Sequence, residues 1–437
     1  MRLEIEALDA AGRGVARNAG KVVFVEGAIA GEIVEARLLE AKPKFDRARV
    51  TEILQASPSR REPRCPYFGV CGGCATQHVD ARTQVAAKQR GLEDNLARIG
   101  KLSGKDLAGA MLPPIYGQEW GYRYRARLSV RYVEAKGGAL VGFREKKSTY
   151  VADMHSCEVL PAPISSLIDP LRALIGSLSI RDRVPQVEIA VGDAATVLLF
   201  RHLLPFSESD QALLREFADT QAVHVWLQPA GPETVAPFHP AERDVLYYGL
   251  PEFGVRIAFQ PSDFTQVNPA VNRLLVSRAI RLLDPQPGER VADLFCGIGN
   301  FTLPLAARGA QVIGFEGSVQ LVERARQNAA ANGLVAQFEV ADLFQPNLAT
   351  GLANYGRFDK FLIDPPREGA ISLVHSLPHD WPRRIVYVSC DPATLARDAD
   401  VLVHGKGFRL SAAGVVNMFP HTAHVESIAL FERDQQA

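Results

Sequence analysis

The sequence predicts a multidomain α/β protein: a small β-barrel, a central α+β region, and a C-terminal doubly wound, mostly parallel sheet. Three observations predict it. From about residue 261 onward, strand-like runs alternate with helical ones, as in a parallel sheet with crossover helices. Residues 1–56 instead read as short strands broken by glycines. Between them, from about 112 to 260, runs suited to an antiparallel sheet with a few helices are interrupted by Pro and Gly. A chain of 437 residues suits about three domains at roughly 150 residues each. The expected divisions are 1–56, 57–260 and 261–437.

At the N-terminus, Gly12-Arg13-Gly14 makes a turn before Val22-Val23-Phe24-Val25, and Glu32 to Ala36 alternates polar and apolar. Lys42 to Val50 is a basic edge carrying Phe45. Small barrels of this kind bind single-stranded nucleic acid, although a merely solvated charged strand reads equally well from this segment. Residues 80–100 form an amphipathic helix with Val85, Leu92, Leu96 and Ile99 at helical spacing, expected to pack on the C-terminal domain. Within Tyr122–Tyr132, Arg123, Arg125, Arg127 and Arg131 fall on one face of a strand, with Arg144, Lys146 and Lys147 following. That face is a candidate track for RNA phosphates. The C-terminal strands are expected at 291–295, 311–316, 337–341, 360–363, 385–389 and 424–431.

Charge and composition narrow the classes. Lys and Arg total 49 and Asp and Glu total 49, so any basic surface must be local. No apolar run approaches the ~18 residues of a membrane helix. Met1 to Glu6 carries acids where a signal peptide needs an apolar stretch, so a cytoplasmic protein with reduced thiols is expected. Clustered cysteines in that setting suggest metal or catalysis.

Val291-Ala292-Asp293-Leu294-Phe295-Cys296-Gly297-Ile298-Gly299-Asn300-Phe301 is a strand, a glycine turn and a helix start. It lacks the third glycine of the dinucleotide fingerprint. An acid four residues before G-x-G suits S-adenosylmethionine, which has no pyrophosphate. The next strand ends in Glu316, suited to the ribose hydroxyls, and the third in Asp342, suited to the adenine amine. A tight turn with two caps would account for the same residues.

After the fourth strand stands Asp364-Pro365-Pro366-Arg367, without the aromatic that amino-methylating enzymes place there. The fifth delivers Cys390 to the carboxyl edge of the sheet, and the last carries Glu426. Methylating C5 of a pyrimidine needs this pair. A thiolate attacking C6 makes C5 nucleophilic, and a base must then remove the C5 proton before the thiol leaves. Read blandly, Cys390 is a buried apolar residue and Glu426 faces water. Cys296, inside the glycine turn, suits packing better than attack.

Cys65-x5-Cys71-Gly72-Gly73-Cys74, with Cys157 farther on, makes a four-thiolate set suited to zinc or to an iron–sulfur cluster. Zinc ribbons prefer paired C-x2-C units, but spacing alone leaves both open.

Together these residues resemble the RNA uracil-C5 methyltransferases, over nearly the whole chain. The resemblance implies a TRAM domain at the N-terminus and a [4Fe-4S] cluster on Cys65, Cys71, Cys74 and Cys157. It implies S-adenosylmethionine contacts from Gln266, Phe295, Asn300, Glu316, Asp342 and Asp364, with Asp342 at a position that varies in type. It implies Cys390 as nucleophile and Glu426 as proton acceptor. Having both TRAM domain and cluster, the chain is most similar to the branch acting on 23S ribosomal RNA, implying that partner, probed before or during assembly, and a monomer without membrane contact. The competing readings are a non-catalytic RNA-binding or ribosome-assembly factor and an enzyme for a tRNA uridine. A cytosine-C5 enzyme would need a cysteine between Asp359 and Gly369, where there is none.

Overall fold

The computed structural model describes residues 1–9, 11–241, 245–345 and 348–433. Three large sheets follow one another along the chain. The first contains β1 (Arg2–Glu4), β2 (Ala7–Leu8), β3 (Gly14–Asn18), β4 (Lys21–Glu26), β5 (Ile33–Ala41) and β6 (Phe45–Gln55), in the order β1-β5-β6-β4-β3-β2. Its two edge strands are consecutive in the chain. β1 pairs with β5 and β2 with β3, so the segment 2–8 bends across both edges and closes the barrel. Alternation puts Val23 and Val25 inside, with Ala16, Val34 and Ala48, in a core of its own.

The second sheet contains β7 (Arg125–Val133), β8 (Gly138–Gly142), β9 (Gln186–Val191), β10 (Thr196–Arg201), β11 (His224–Gln228) and β12 (Ala236–His239), ordered β12-β11-β10-β9-β7-β8. It is mixed rather than antiparallel throughout. β10 and β11 run parallel because the helix Glu208–Gln221 crosses between them. A short ribbon, β13 (Tyr247–Leu250) and β14 (Val255–Ala258), follows.

The structure draws part of the expected RNA track on this sheet inward. β7 begins at Arg125, so Arg123 precedes the strand. Arg125 turns inward and its Nη2 donates to the carbonyls of Pro261 (2.5 Å) and Asp263 (2.9 Å). Arg127 pairs with Glu188 at 3.0 Å, and the Arg123 guanidinium lies over the Phe143 ring. Arg123, Arg125 and Arg127 are thus each met by a ring, carbonyl or acid from a distant segment, while Arg127 and Arg131 remain exposed on the sheet.

The third sheet contains β15 (Arg290–Leu294), β16 (Gln311–Glu316), β17 (Gln337–Val340), β18 (Lys360–Ile363), β19 (Arg384–Ser389), β20 (Arg409–Val416) and β21 (Glu426–Glu432). The order is β17-β16-β15-β18-β19-β21-β20, parallel up to β19, with β21 antiparallel to both neighbours. β18 is buried along its length, as a central strand covered on both faces must be. β20 was not expected, because Ser-Ala-Ala-Gly at 411–414 lacks the alternation of a half-buried strand. The small residues serve close packing: a Cβ at Gly414 would stand 3.0 Å from Leu112. The last strand starts at Glu426, leaving His424 outside it.

The helix Ala81–Arg98 (α1) is capped by Asp80, whose carboxylate accepts from the N–H groups of Arg82 and Thr83. Leu92 and Leu96 join the core of the third sheet, beside Leu395 and Ala396, whereas Ile99 lies past the helix end and is exposed. Among the described residues no helix is long and apolar enough to cross a membrane.

Candidate functional site

The carboxyl ends of β15, β16, β18 and β19 converge on a cavity of about 880 Å³. Its floor is the turn after β15, where Phe295 (φ 65°), Gly297 (φ 54°) and Gly299 (φ 97°) take left-handed backbone conformations. The turn lets Glu316 reach back. Its carboxylate accepts from the N–H of Gly297 (3.2 Å) and from that of Ser318 (3.0 Å). Asp342 accepts from the N–H of Phe344 at 3.0 Å, and the Phe344 ring lies 5.6 Å from that of Phe295. Gln266, Phe295, Glu316, Asp342 and Asp364 all line this cavity. A pocket with an acid on the glycine turn, a second acid beyond it and two rings has the acceptors and stacking faces that suit an adenosine.

Asn300 does not line it. Its side chain turns into the core, where its Oδ1 accepts from the Tyr248 hydroxyl (3.0 Å) and Asn272 Nδ2 (2.9 Å). Asp293 is likewise internal: the Thr302 hydroxyl donates to it at 2.5 Å, and burial pushes its carboxyl up to about 7. Cys296 is buried against Gly314, where an added Cβ would come within 2.8 Å of its Sγ. It has no access to the cavity's contents.

At the far end of the cavity stand Asp364, Cys390 and Glu426. Ser389 pairs with Ser427 across the antiparallel strands β19 and β21, which brings the residues beyond them, Cys390 and Glu426, to the same end. Burial, then the neighbouring Glu426 and Asp364, raises the Cys390 thiol to about 11, against the pull of Arg367. Burial pushes Asp364 up to about 7, and burial with Asp364 alongside pushes Glu426 well above the usual carboxylate range. The three groups repel one another's charge, so at neutral pH the site retains protons until a cation or substrate enters.

Arg367, Cys390 and His424 also line a second cavity of about 420 Å³ on the side facing α1 and the barrel. Sequence reasoning took Arg367 only as a departure and His424 only as a strand residue. The Arg367 Nη2 stands 3.1 Å from His424 Nδ1. The segment 417–425 separates the two cavities and is held largely by distant residues. The Tyr122 hydroxyl donates to the Pro420 carbonyl (2.9 Å), and the N–H groups of Ala75 and Thr76 donate to the His421 carbonyl (2.7 and 3.1 Å). Gln84 receives the His421 N–H at 3.0 Å, and Trp120 stacks on the imidazole with centroids 3.9 Å apart. No local pattern announces these contacts.

Cys65, Cys71, Cys74 and Cys157 line one small cavity, all as free thiols. Gly72 and Gly73 keep the loop thin: a Cβ at Gly72 would lie 2.9 Å from the Arg144 carbonyl oxygen, and the Gly73 N–H points at Cys71 Sγ at 3.4 Å. Burial, followed by the adjacent thiols, pushes Cys74 to about 11; burial does the same to Cys157, to about 12. Among the described residues no group of three or more His, Cys, Asp or Glu is gathered tightly enough to hold a single metal ion. Four converging thiols, with an N–H aimed at sulfur, do fit a larger thiolate-bound cluster.

Comparison with known proteins follows this geometry. A family described as tRNA (Uracil-5-)-methyltransferase matches residues 250–434, and the TRAM domain matches residues 1–51. A Thiobacillus denitrificans protein named 23S rRNA (uracil(1939)-C(5))-methyltransferase RlmD is 60% identical over 433 residues, covering 99% of both chains. One of the same name from Nitrosospira multiformis is 58% identical, covering 98% of both. The fold is similar to the crystal structure of Pyrococcus abyssi tRNA (uracil-54, C5)-methyltransferase in complex with S-adenosyl-L-homocysteine. The TM-score is 0.74 at 24% identity, covering 99% of this chain and 100% of that one.

Proposed function

The chain belongs to the 23S rRNA (uracil-C5)-methyltransferases, and from that premise we propose which of its residues carry the reaction. The protein transfers a methyl group from S-adenosylmethionine to C5 of a uridine in 23S ribosomal RNA, numbered 1939 in its relatives' names. The observation that carries the assignment of roles is that Cys390 and Glu426 share one cavity with Glu316 and Asp342. A nucleophile, a base and a nucleoside cradle within one enclosure are what C5 methylation requires.

Glu316 holds the ribose hydroxyls with the carboxylate that also braces Gly297. Asp342, Phe295 and Phe344 take the adenine, and Gln266 and Asp364 close the pocket around the rest of the ligand. Asn300 contributes through the turn it braces against Asn272 and Tyr248. When bound, S-adenosylmethionine supplies an electrophilic methyl on a sulfonium, whose positive charge relieves the repulsion among Asp364, Glu426 and Cys390. The Cys390 thiolate then attacks C6, forming the S–C6 bond and placing the electron pair on C5 and O4. After C5 has taken the methyl group, the Glu426 carboxylate removes the C5 proton. The S–C6 bond breaks, the double bond re-forms, and Cys390 leaves as thiolate. Burial of Glu426 raises its proton affinity, which favours its accepting a carbon-bound proton.

The four cysteines would hold a [4Fe-4S] cluster, which would supply a cross-link tying the 65–74 loop to Cys157. We divide the chain at 1–56 for RNA binding by the barrel, 57–260 for the cluster-bearing part and 261–437 for methyl transfer. A single chain supplies every group of the cavity, which supports a monomer. A recessed thiol supports an unstacked uridine, available before or during subunit assembly, and reduced thiols support a cytoplasmic setting.

Cys390→Ala should abolish methylation and any covalent adduct. Glu426→Gln should halt after methyl transfer and accumulate a denaturant-resistant protein–RNA band. Normal turnover by Glu426→Gln would remove the base assignment, and an adduct from Cys390→Ala would move the nucleophile.

A further inference from the structure

Among the described residues, Lys88 is a buried lysine without an ion-pair partner. It lies on the inner face of α1 at 7% exposure. Its Nζ donates to Asn417 Oδ1 at 2.8 Å and to the Phe419 carbonyl at 2.9 Å, both neutral acceptors. An ammonium carries three donors, so two acceptors leave one unused. Burying a charge without an opposite one is unfavourable, and two other deeply buried charges here are matched. Lys360, at 2% exposure, meets Glu289 at 2.6 Å, and Glu32, at 0%, meets Arg60 at 2.5 Å. Among the described residues no such partner reaches Lys88, and desolvation alone lowers it to about 7.

The environment of Lys88 says what is missing. It lines the 420 Å³ cavity that also reaches Cys390. The two acids of that cavity are committed elsewhere: Asp9 to Arg13 at 2.6 Å, and Asp391 to the N–H groups of Ala393 and Thr394 at the start of a helix. His421 and His424, both nearby, are pushed down by burial and in part by the Lys88 charge, and an imidazole supplies no anion in either state. Arg367 adds a second cation that forms no ion pair among the described residues. The cavity therefore presents positive charge beside the thiol, and neither acid that lines it is free to balance that charge.

We infer that Lys88 receives a phosphodiester of the RNA strand next to the nucleotide attacked by Cys390, and so positions that nucleotide over the thiol. A strand entering the cavity carries one anion per nucleotide, and a compact ammonium on a long stem suits a phosphate oxygen. Lys88 is a positioning residue, bridging the bound strand to the 417–419 segment at the wall of the catalytic cavity. The inference rests on the proposed role of Cys390.

The test uses the full-length protein and a 23S ribosomal RNA fragment containing the target uridine, with affinity measured across a potassium chloride series. Lys88→Met keeps the stem and removes the charge. It should weaken RNA binding about tenfold or more and flatten the log–log salt slope by about 0.7, the value for one phosphate of a single strand. Lys88→Arg should restore the slope, and S-adenosylmethionine affinity should stay at the wild-type level. If Lys88→Met fails to fold, wild-type protein with RNA bearing a neutral methylphosphonate at each flanking position makes the same measurement: one position should reproduce the loss. An unchanged slope with Lys88→Met, or no sensitive methylphosphonate position, overturns the inference. So does unchanged RNA affinity with slower adduct formation, which would assign Lys88 to the uracil enolate instead. A wild-type protein that forms no adduct with 5-fluorouridine RNA through Cys390 overturns the underlying role of the thiol, an outcome distinct from all of these.

Discussion

Cys390 and the four cysteines at 65, 71, 74 and 157 are all thiols pushed upward first by burial, but what lies next to them differs. Around Cys390 the next contributors are carboxyl groups, Glu426 and Asp364. Around Cys74 and Cys157 they include the other thiols of the same pocket, with the Gln77 side chain at Cys74 and backbone N–H groups at Cys157 pulling the other way. An acid neighbour keeps a thiol protonated until a substrate or cation arrives, and can then take a proton itself. Thiols gathered around one cavity gain nothing from one another as anions, and become stable together only on a shared cation. One pocket therefore suits cycling between protonation states, and the other suits a shared cation. Burial alone does not distinguish them.

The largest effect separates the two pockets outright. Cys65→Ser or Cys74→Ser should remove the brown colour and iron of anaerobically purified protein, whereas Cys390→Ala should keep both. Iron analysis on the three variants checks this, and a colourless wild-type protein with stoichiometric zinc would replace the cluster with a different metal. Next in size is a pH dependence confined to the catalytic pocket. Trapping by 5-fluorouridine RNA needs the Cys390 thiolate but not a C5 proton acceptor. Because the thiol titrates near 11, its ionised fraction below that value rises about tenfold per pH unit. The trapping rate should therefore climb between pH 7 and 9. Asp364→Asn removes a negative neighbour, lowers the thiol's proton affinity, and should raise the rate at a given pH. A rate flat with pH would mean that the bound ligands set the thiolate, rather than the acids. The smallest effect tests an acid of the same cavity that serves neutral groups. Glu316→Ala should weaken S-adenosylmethionine binding by about 1.5–3 kcal/mol, the range for hydrogen bonds to a charged group. Calorimetry checks it, with the trapping of RNA by Cys390 as the comparison.

Much of the catalytic sheet was legible. Phe361, Leu362 and Ile363 form an apolar run of strand length ending at an acid, and Ile385 to Ser389 ends at a thiol, so chemistry stands where the pattern stops. β20 was missed because close packing against Leu112 demanded small residues, which erase the alternation a strand normally carries. The basic strand misled for the opposite reason. Its period was clear, but Arg125 is drawn onto the carbonyls of Pro261 and Asp263, 136 and 138 residues away. That contact braces the turn leading to Gln266, so a side chain expected to meet RNA shapes the nucleoside pocket instead.

The sequence by itself determined the ends of the strands and the chemical types found there: glycines at the turn after β15, Glu316 and Asp342 after the next two strands, Cys390 after β19. These follow from periodicity and from what glycine, acid and thiol can do, over a few adjacent residues. Only the tertiary structure decided which of them share an enclosure and which charges go unanswered. It turned Asn300 away from the cavity, brought Glu426 beside Cys390 through an antiparallel pairing, and left Lys88 buried without an acid. Each of those outcomes depends on desolvation and on partners contributed by distant segments, and a charge's surroundings are a property of the packed chain rather than of its neighbours in sequence.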